Sequence, residues 1–237
     1  MLNQTSTPPR LSSLTIRGSE LDEKTHQQYL GTGIRTLDLL LSGGIPRGHI
    51  TQIMGPASSG KTSLLLSILA QATARREWVA YIDPFSSLDP ACAQKAGIDL
   101  KRLLWIRGPK KILKATDILV GAGGFGVVVL DLVTQGRTMD SRIFQKTPFT
   151  AWFRLKHAAR RTSTALLILG QEINAGSAVS RVISLRRRKT QWNYAADKKK
   201  STDPHHALLL HGICNELELL RGKDLHAHAT FYCHFQL

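Results

Sequence analysis

Acidic residues are scarce in this chain. Its 237 residues include 17 Asp and Glu against 32 Lys and Arg, a formal net charge of +15 at pH 7. Such a field attracts polyanions and speeds their association, so nucleic acid is the expected partner, although charge of itself says nothing about fold. Cysteine is scarce too. The three, at 92, 214 and 233, form no CxxC pair, which points to reduced thiols and a cytoplasmic protein. Long apolar runs are missing, so no bilayer-crossing segment and no membrane partner are expected. The opening MLNQTSTPPRL lacks the apolar core of a secretory signal. There is no internal repeat. A hydrophobic content of 42% and this length suit one sizeable globular domain.

Residues 1–30 are polar, with Pro8-Pro9 and mixed charge, and read as an arm carrying one short helix around Ser19–Tyr29. The core is expected over 31–237, with a basic insertion at about 186–206. A short helix, Thr36–Leu41, ends at Gly43-Gly44. Strands are expected at His49–Met54, Trp78–Asp83, Leu103–Ile106, Gly126–Leu132 and Ala165–Gly170. Helices are expected at Lys61–Arg75, from Asp89-Pro90 to Gly97, at Pro109–Val120 and at Pro148–Arg161. Asp89 is placed as an N-cap with Pro90 at the first helical position. The unbroken apolar runs GVVVLDL and ALLILG suit strands covered on both faces. The alternation predicts an α/β fold with a mostly parallel twisted sheet flanked by helices.

GPASSGKT, Gly55 to Thr62, matches GxxxxGK[ST] between a predicted strand and a predicted helix, the context a P-loop requires. The loop residues Gly55, Pro56, Ala57, Ser58, Ser59 and Gly60 would turn backbone N–H groups toward phosphates at the positive end of the helix that Lys61, Thr62 and Ser63 begin. Lys61 would reach the β and γ phosphates of ATP, and the Thr62 hydroxyl would bind Mg2+. A carboxylate on the metal side is also needed, and Asp131, at the end of the VVVL run, fits. Hydrolysis needs, in addition, a group that orients or deprotonates water.

The stretch GTGIRTLDLLLSGGIPRGHITQIMGPASSGKTSLLL resembles the opening of bacterial RecA and its relatives. YIDPFSSLDPACAQKAGIDLKRLLWIRG, VVVLDLV and LLILGQEI continue the likeness in the same order, over about residues 31–185. The resemblance implies a RecA-like P-loop NTPase core. It makes Gln171 the γ-phosphate sensor and Asp89 an adenine contact. It also matches Arg221 and Lys223, in LELLRGK, to two lysines that reach the ATP of a neighbouring subunit, which implies a homo-oligomer. Departures accompany the match. Phe85 stands where the family has its water-activating glutamate, and Cys92 stands where a tyrosine stacks on adenine. The second DNA-binding loop shrinks to Glu172–Val179, and the family's large C-terminal domain has no counterpart. This profile is similar to the ImuA type of RecA relative, accessory factors in SOS damage tolerance that work with a Y-family-like partner and an error-prone polymerase; RecA or a polymerase-accessory protein is the protein partner expected.

Arg186, Arg187, Arg188 and Lys189 follow a predicted strand, with Trp192 and Tyr194 close behind and a second run at Lys198–Lys200. Cations neutralise phosphates and aromatics stack on unpaired bases, so single-stranded DNA is expected here; a solvated loop or a docking patch for an acidic protein are the other readings. Arg154, His157 and Arg161 share a helix face. Six late histidines, among them His205, His206, His226 and His228, match no zinc spacing. The leading expectation is an ATP- and DNA-binding accessory protein with slow or absent hydrolysis. An active DNA-dependent ATPase, using Asp83 or Glu172 in place of the missing acid, and a protein adaptor whose P-loop only stabilises the fold are the alternatives.

Overall fold

The computed structural model describes residues 28–108, 111–133, 148–171, 176–194, 208–222 and 226–234. A two-residue strand β1 (Tyr29–Leu30) pairs antiparallel with β2 (Ile45–Pro46) around helix α1 (Arg35–Leu40). Then follow β3 (Ile50–Met54), α2 (Lys61–Ala74), β4 (Trp78–Asp83), α3 (Pro90–Lys95), β5 (Leu103–Arg107), α4 (Ile112–Ala122), β6 (Phe125–Asp131), α5 (Phe149–Thr162) and β7 (Ala165–Gly170). Three longer strands complete the order: β8 (Arg181–Tyr194), β9 (Leu208–Arg221) and β10 (His228–His234). The main sheet runs β10-β9-β8-β3-β7-β6-β4-β5, parallel from β8 to β5, with β9 and β10 antiparallel at one edge. The expected α/β architecture is the one observed.

Strand alternation sorts the central side chains to two faces. Val127, Val129, Leu167 and Leu169 meet Leu64, Leu65, Ile68 and Leu69 of α2 on one side. Val128, Leu130, Leu166 and Ile168 meet Leu119, Trp152 and Leu155 of α4 and α5 on the other. Covered faces explain the unbroken apolar runs Val127–Leu130 of β6 and Ala165–Leu169 of β7. Each fully buried leucine or isoleucine of α2 contributes roughly 1.5–3 kcal/mol. That docking anchors the helix N-terminus at the C-terminal ends of the parallel strands.

Expectation and structure part in three places. Tyr29 belongs to β1 rather than to a helix; Gln28 before it is helical, and residues 19–27 of the expected helix lie outside the described residues. Helix α4 starts at Ile112, after residues 109–110, which lie outside the described set. The third difference touches function. Arg186, Arg187, Arg188, Lys189 and Trp192 do not follow a strand; they lie within β8, which runs on to Tyr194. The reason is β9, which supplies antiparallel partners from Val182 to Tyr194, with register shifts that leave Arg188 unpaired between Arg187 and Lys189. Side-chain charge was no obstacle, because these side chains are exposed while the residues on either side of Arg188 are paired across the ladder.

Candidate functional site

The loop Gly55–Gly60 joins β3 to α2 at the carboxyl edge of the sheet. Two glycines are required there. Gly55 has φ +149°, and a Cβ would lie 2.1 Å from the carbonyl oxygen of Leu185 on β8; Gly60, with φ +85°, is the N-cap of α2. Pro56, Ala57 and Ser58 are exposed, and Ser59 is buried. Lys61 is only 5% exposed. Its ammonium donates to the Gly55 carbonyl, to the Pro56 carbonyl at 2.6 Å, and to Ser59 Oγ at 3.5 Å. Burial lowers its pKa, and the nearby Asp131 carboxylate opposes that shift. The cation is therefore held inside the loop.

Asp131, at the end of β6, is 5% exposed. Its Oδ2 accepts from Tyr81 Oη at 2.6 Å and Ser87 Oγ at 3.2 Å, and its Oδ1 accepts from Val133 N at 2.9 Å. Burial pushes the carboxyl above its ordinary range, the Tyr81 and Val133 donors pull it back, and neighbouring Asp83 pushes it up again. Thr62, Asp131, Tyr81, Ser87, Asp89 and Cys92 border one cavity of about 200 Å3. The structure thus brings together the hydroxyl and carboxylate expected on the metal and the two residues expected near adenine. A hydroxyl and a carboxylate are hard oxygen donors suited to Mg2+, which takes one or two protein oxygens and fills its shell with phosphates and water. No cluster of three or more His, Cys, Asp or Glu competes for a metal among the described residues. With ATP bound, Thr62 and Asp131 would hold the ion and Lys61 would hold the phosphates.

Asp83 ends β4 and is fully buried. It accepts from Ser87 N at 2.9 Å, Ser87 Oγ at 3.2 Å, Leu88 N at 3.0 Å and Trp105 Nε1 at 3.1 Å. These bonds tie the Pro84–Leu88 turn to β4 and β5. Phe85, half-buried, occupies that turn. Asp89 caps α3 through Ala91 N at 2.9 Å, and the Cys92 thiol and that N–H lower its pKa. Gln171 is exposed directly after β7; Glu172 and Lys223 lie outside the described residues. Arg221 pairs with Val182, level with Gln52 and below the loop, and its guanidinium donates to the carbonyls of Gly176 and Val179 at 2.5 and 3.3 Å. It is thus engaged in holding the segment that follows β7.

On β8, Arg186 and Lys189 pair with Glu216 and Cys214 and so share one sheet face. Arg186 Nε meets Glu216 Oε2 at 3.1 Å while remaining 63% exposed. Trp192 is 54% exposed and Tyr232 of β10 55%. The helical cations behave differently. Arg154 pairs with Asp117 at 3.0 Å and Arg161 donates to the Gly121 carbonyl at 3.3 Å, fastening α5 to α4. Of the late histidines, His226 contacts Glu218 at 3.2 Å. No helix of the described residues is long and apolar enough to cross a membrane.

The RecA N-terminal domain family matches residues 13–190. The chain belongs to the RecA family. It is 34% identical to protein RecA of Laribacter hongkongensis over 170 residues, covering 66% of this chain and 48% of that one. It is 32% identical to protein RecA of Aquifex aeolicus over 163 residues, covering 63% and 47%. The chain thus spans about half the length of these RecA proteins. A crystal structure of the RadB recombinase superposes with a TM-score of 0.58 at 20% identity, over 85% of this chain and 94% of that one, a likeness of fold. Sequence reasoning missed Tyr81, Ser87 and Trp105 around Asp131 and Asp83. One signal was present: a tyrosine inside an apolar strand needs an acceptor when buried.

The raised carboxyl of Asp131 has a stability consequence. A carboxyl whose folded-state pKa lies above its unfolded value holds its proton more tightly when folded, so stability falls as pH rises through the unfolded value toward the folded one. Asp131→Asn is expected to raise stability at neutral pH by about 0.5–2 kcal/mol and to do so less near pH 4. Mg2+-dependent ATP binding should weaken in parallel. Thermal melting at the two pH values, with nucleotide titrations in magnesium and in EDTA, checks both halves.

Proposed function

We propose that this RecA-family chain binds ATP with Mg2+ and binds single-stranded DNA, and serves as an ImuA-type accessory factor in damage tolerance rather than as a turnover-driven recombinase. Lys61, Thr62 and Asp131 hold phosphate and metal, Gln171 follows the γ-phosphate, and Asp89 lies beside the adenine. Arg221 and Lys223 are the candidates for a neighbouring copy's nucleotide, through a homo-oligomer. RecA or a polymerase-accessory protein is the proposed protein partner, in the cytoplasm.

One observation carries the reading. The phosphate-holding half of the site is assembled, while the acid nearest the missing catalytic position, Asp83, is buried under four hydrogen bonds. A carboxylate so engaged has no free lone pair aimed at a water. That disfavours the active-ATPase alternative through Asp83; the other candidate, Glu172, lies outside the described residues. The adaptor alternative predicts that nucleotide is dispensable for every interaction.

For DNA, the proposed surface is the outward face of β8, with Arg186, Arg188 and Lys189 on phosphates, Trp192 on a base, and Arg187 close by. Removing two phosphate contacts lowers the salt dependence of single-strand binding by about 0.7 per contact. Arg188→Ala/Lys189→Ala is therefore expected to weaken binding of a single-stranded oligonucleotide about tenfold and to reduce the log–log salt slope by about 1.4. Fluorescence anisotropy across a salt series, with and without MgATP, is the measurement. An unchanged slope would remove β8 as the DNA surface.

A further inference from the structure

The face of β9 turned toward α2 carries Ile213, Asn215, Leu217 and Leu219, three apolar residues and one amide. Asn215 is fully buried. Its Nδ2 reaches Cys233 Sγ at 3.3 Å and the Ile213 carbonyl at 3.5 Å, and its Oδ1 is buried with no hydrogen-bond partner. Asparagine is a poor strand former, and an unmet buried acceptor costs free energy. An apolar residue of equal size would serve the core better, so packing does not account for the amide.

Its surroundings do. A Cβ at Gly60 would lie 2.6 Å from Asn215 Nδ2, 2.8 Å from its Cγ and 3.1 Å from its Oδ1, so the amide rests against the last glycine of the phosphate loop. Cys233, the amide's sulfur partner, also shares a hydrogen bond with Ser63 in the first turn of α2. Along the sheet, Asn215 is the β9 partner of Arg187 and of Phe231. One side chain therefore touches the loop that faces the phosphates, is linked to the helix that loop begins, and occupies the rung that carries Arg187 of the basic run.

We propose that Asn215 is a positioning residue that supports the phosphate loop at Gly60 and couples nucleotide occupancy to the basic β8–β9 hairpin. The inference rests on the ATP- and DNA-binding reading above. Phosphates would draw Lys61 away from the Gly55 and Pro56 carbonyls, shifting a loop whose hinge lies on this amide. The free acceptor Oδ1 gives the moved loop a place to donate. Any such coupling is reciprocal, so DNA on the hairpin would alter nucleotide affinity by the same factor.

Asn215→Thr tests this in the full chain, because threonine keeps the volume and suits a strand. The readouts are melting temperature without ligand, the Kd for MgATP, and the ratio of oligonucleotide Kd values with and without MgATP. Expected are an unchanged or higher melting temperature, MgATP binding weakened about tenfold, the size of one lost hydrogen-bonded support, and a ratio that departs from one in the unsubstituted protein but returns to one in the variant. Unchanged MgATP affinity, or a ratio equal to that of the unsubstituted protein, overturns the inference alone. Failure of the unsubstituted protein to bind MgATP overturns the underlying reading and the inference with it. A fall in melting temperature of several degrees in both Asn215→Thr and Asn215→Ser would mark the amide as a structural filler and overturn the positioning role.

Discussion

Lys61→Ala is expected to weaken MgATP binding at least about a hundredfold, the loss of two charge-assisted hydrogen bonds at roughly 1.5 kcal/mol or more each. Lys61 is 5% exposed, and its ammonium is enclosed by the loop's own carbonyls and Ser59. Its charge is maintained against burial with help from Asp131. Keeping a lysine there is costly unless an anion enters. Alanine removes the cation and leaves the Pro56 carbonyl beside solvent, since Pro56 is exposed, so the fold should survive with a melting temperature close to that of the parent. Titration calorimetry with MgATP, paired with circular-dichroism melting, separates lost binding from lost folding. A variant that cannot bind ATP yet retains all DNA and partner binding would favour the adaptor alternative.

Phe85→Glu is expected to raise ATP turnover by a factor of about 10²–10⁴, the usual contribution of a positioned general base. The unsubstituted chain should turn over ATP near background even with single-stranded DNA. Two described acids beside the turn are already engaged. Asp83 is committed to the turn that carries Phe85 and to Trp105 of β5, and Asp131 is engaged by Tyr81, Ser87 and the Val133 N–H. A glutamate at 85 would be a carboxylate in the same turn without those bonds. Steady-state phosphate release by the two proteins, with and without oligonucleotide, is the measurement. Equal rates would unseat Phe85 as the lost catalytic position, and rapid DNA-stimulated release by the unsubstituted protein would end the non-hydrolysing reading.

The phosphate loop was legible from its residues because its requirements are local. A left-handed glycine, a lysine and a hydroxyl must follow one another for backbone N–H groups to converge at a helix start. The same holds for Asp89-Pro90, whose cap bond spans two residues, and for β6 and β7, whose unbroken apolar runs report two covered faces.

The β8 extension was not legible in the same way. A run of four cations reads as a solvated loop until β9 is seen to pair with it across the ladder. Arg221 likewise has a tertiary engagement that its sequence neighbours do not announce: one guanidinium nitrogen donates to the Gly176 and Val179 carbonyls, more than 40 residues away in sequence.

Composition, the GPASSGKT spacing and the order of strands were enough to establish an α/β chain with a P-loop motif and a basic character, because each rests on contiguous residues or on sums over them. Tertiary structure alone decided that Asp83 is sealed by Trp105 and Ser87, that Tyr81 and Ser87 hold Asp131, and that Asn215 lies beneath Gly60. Those outcomes depend on which strands lie side by side. Asn215 follows Gly60 by more than 150 residues, and only the pairing of β9 with β8, and of β8 with β3, brings them into contact.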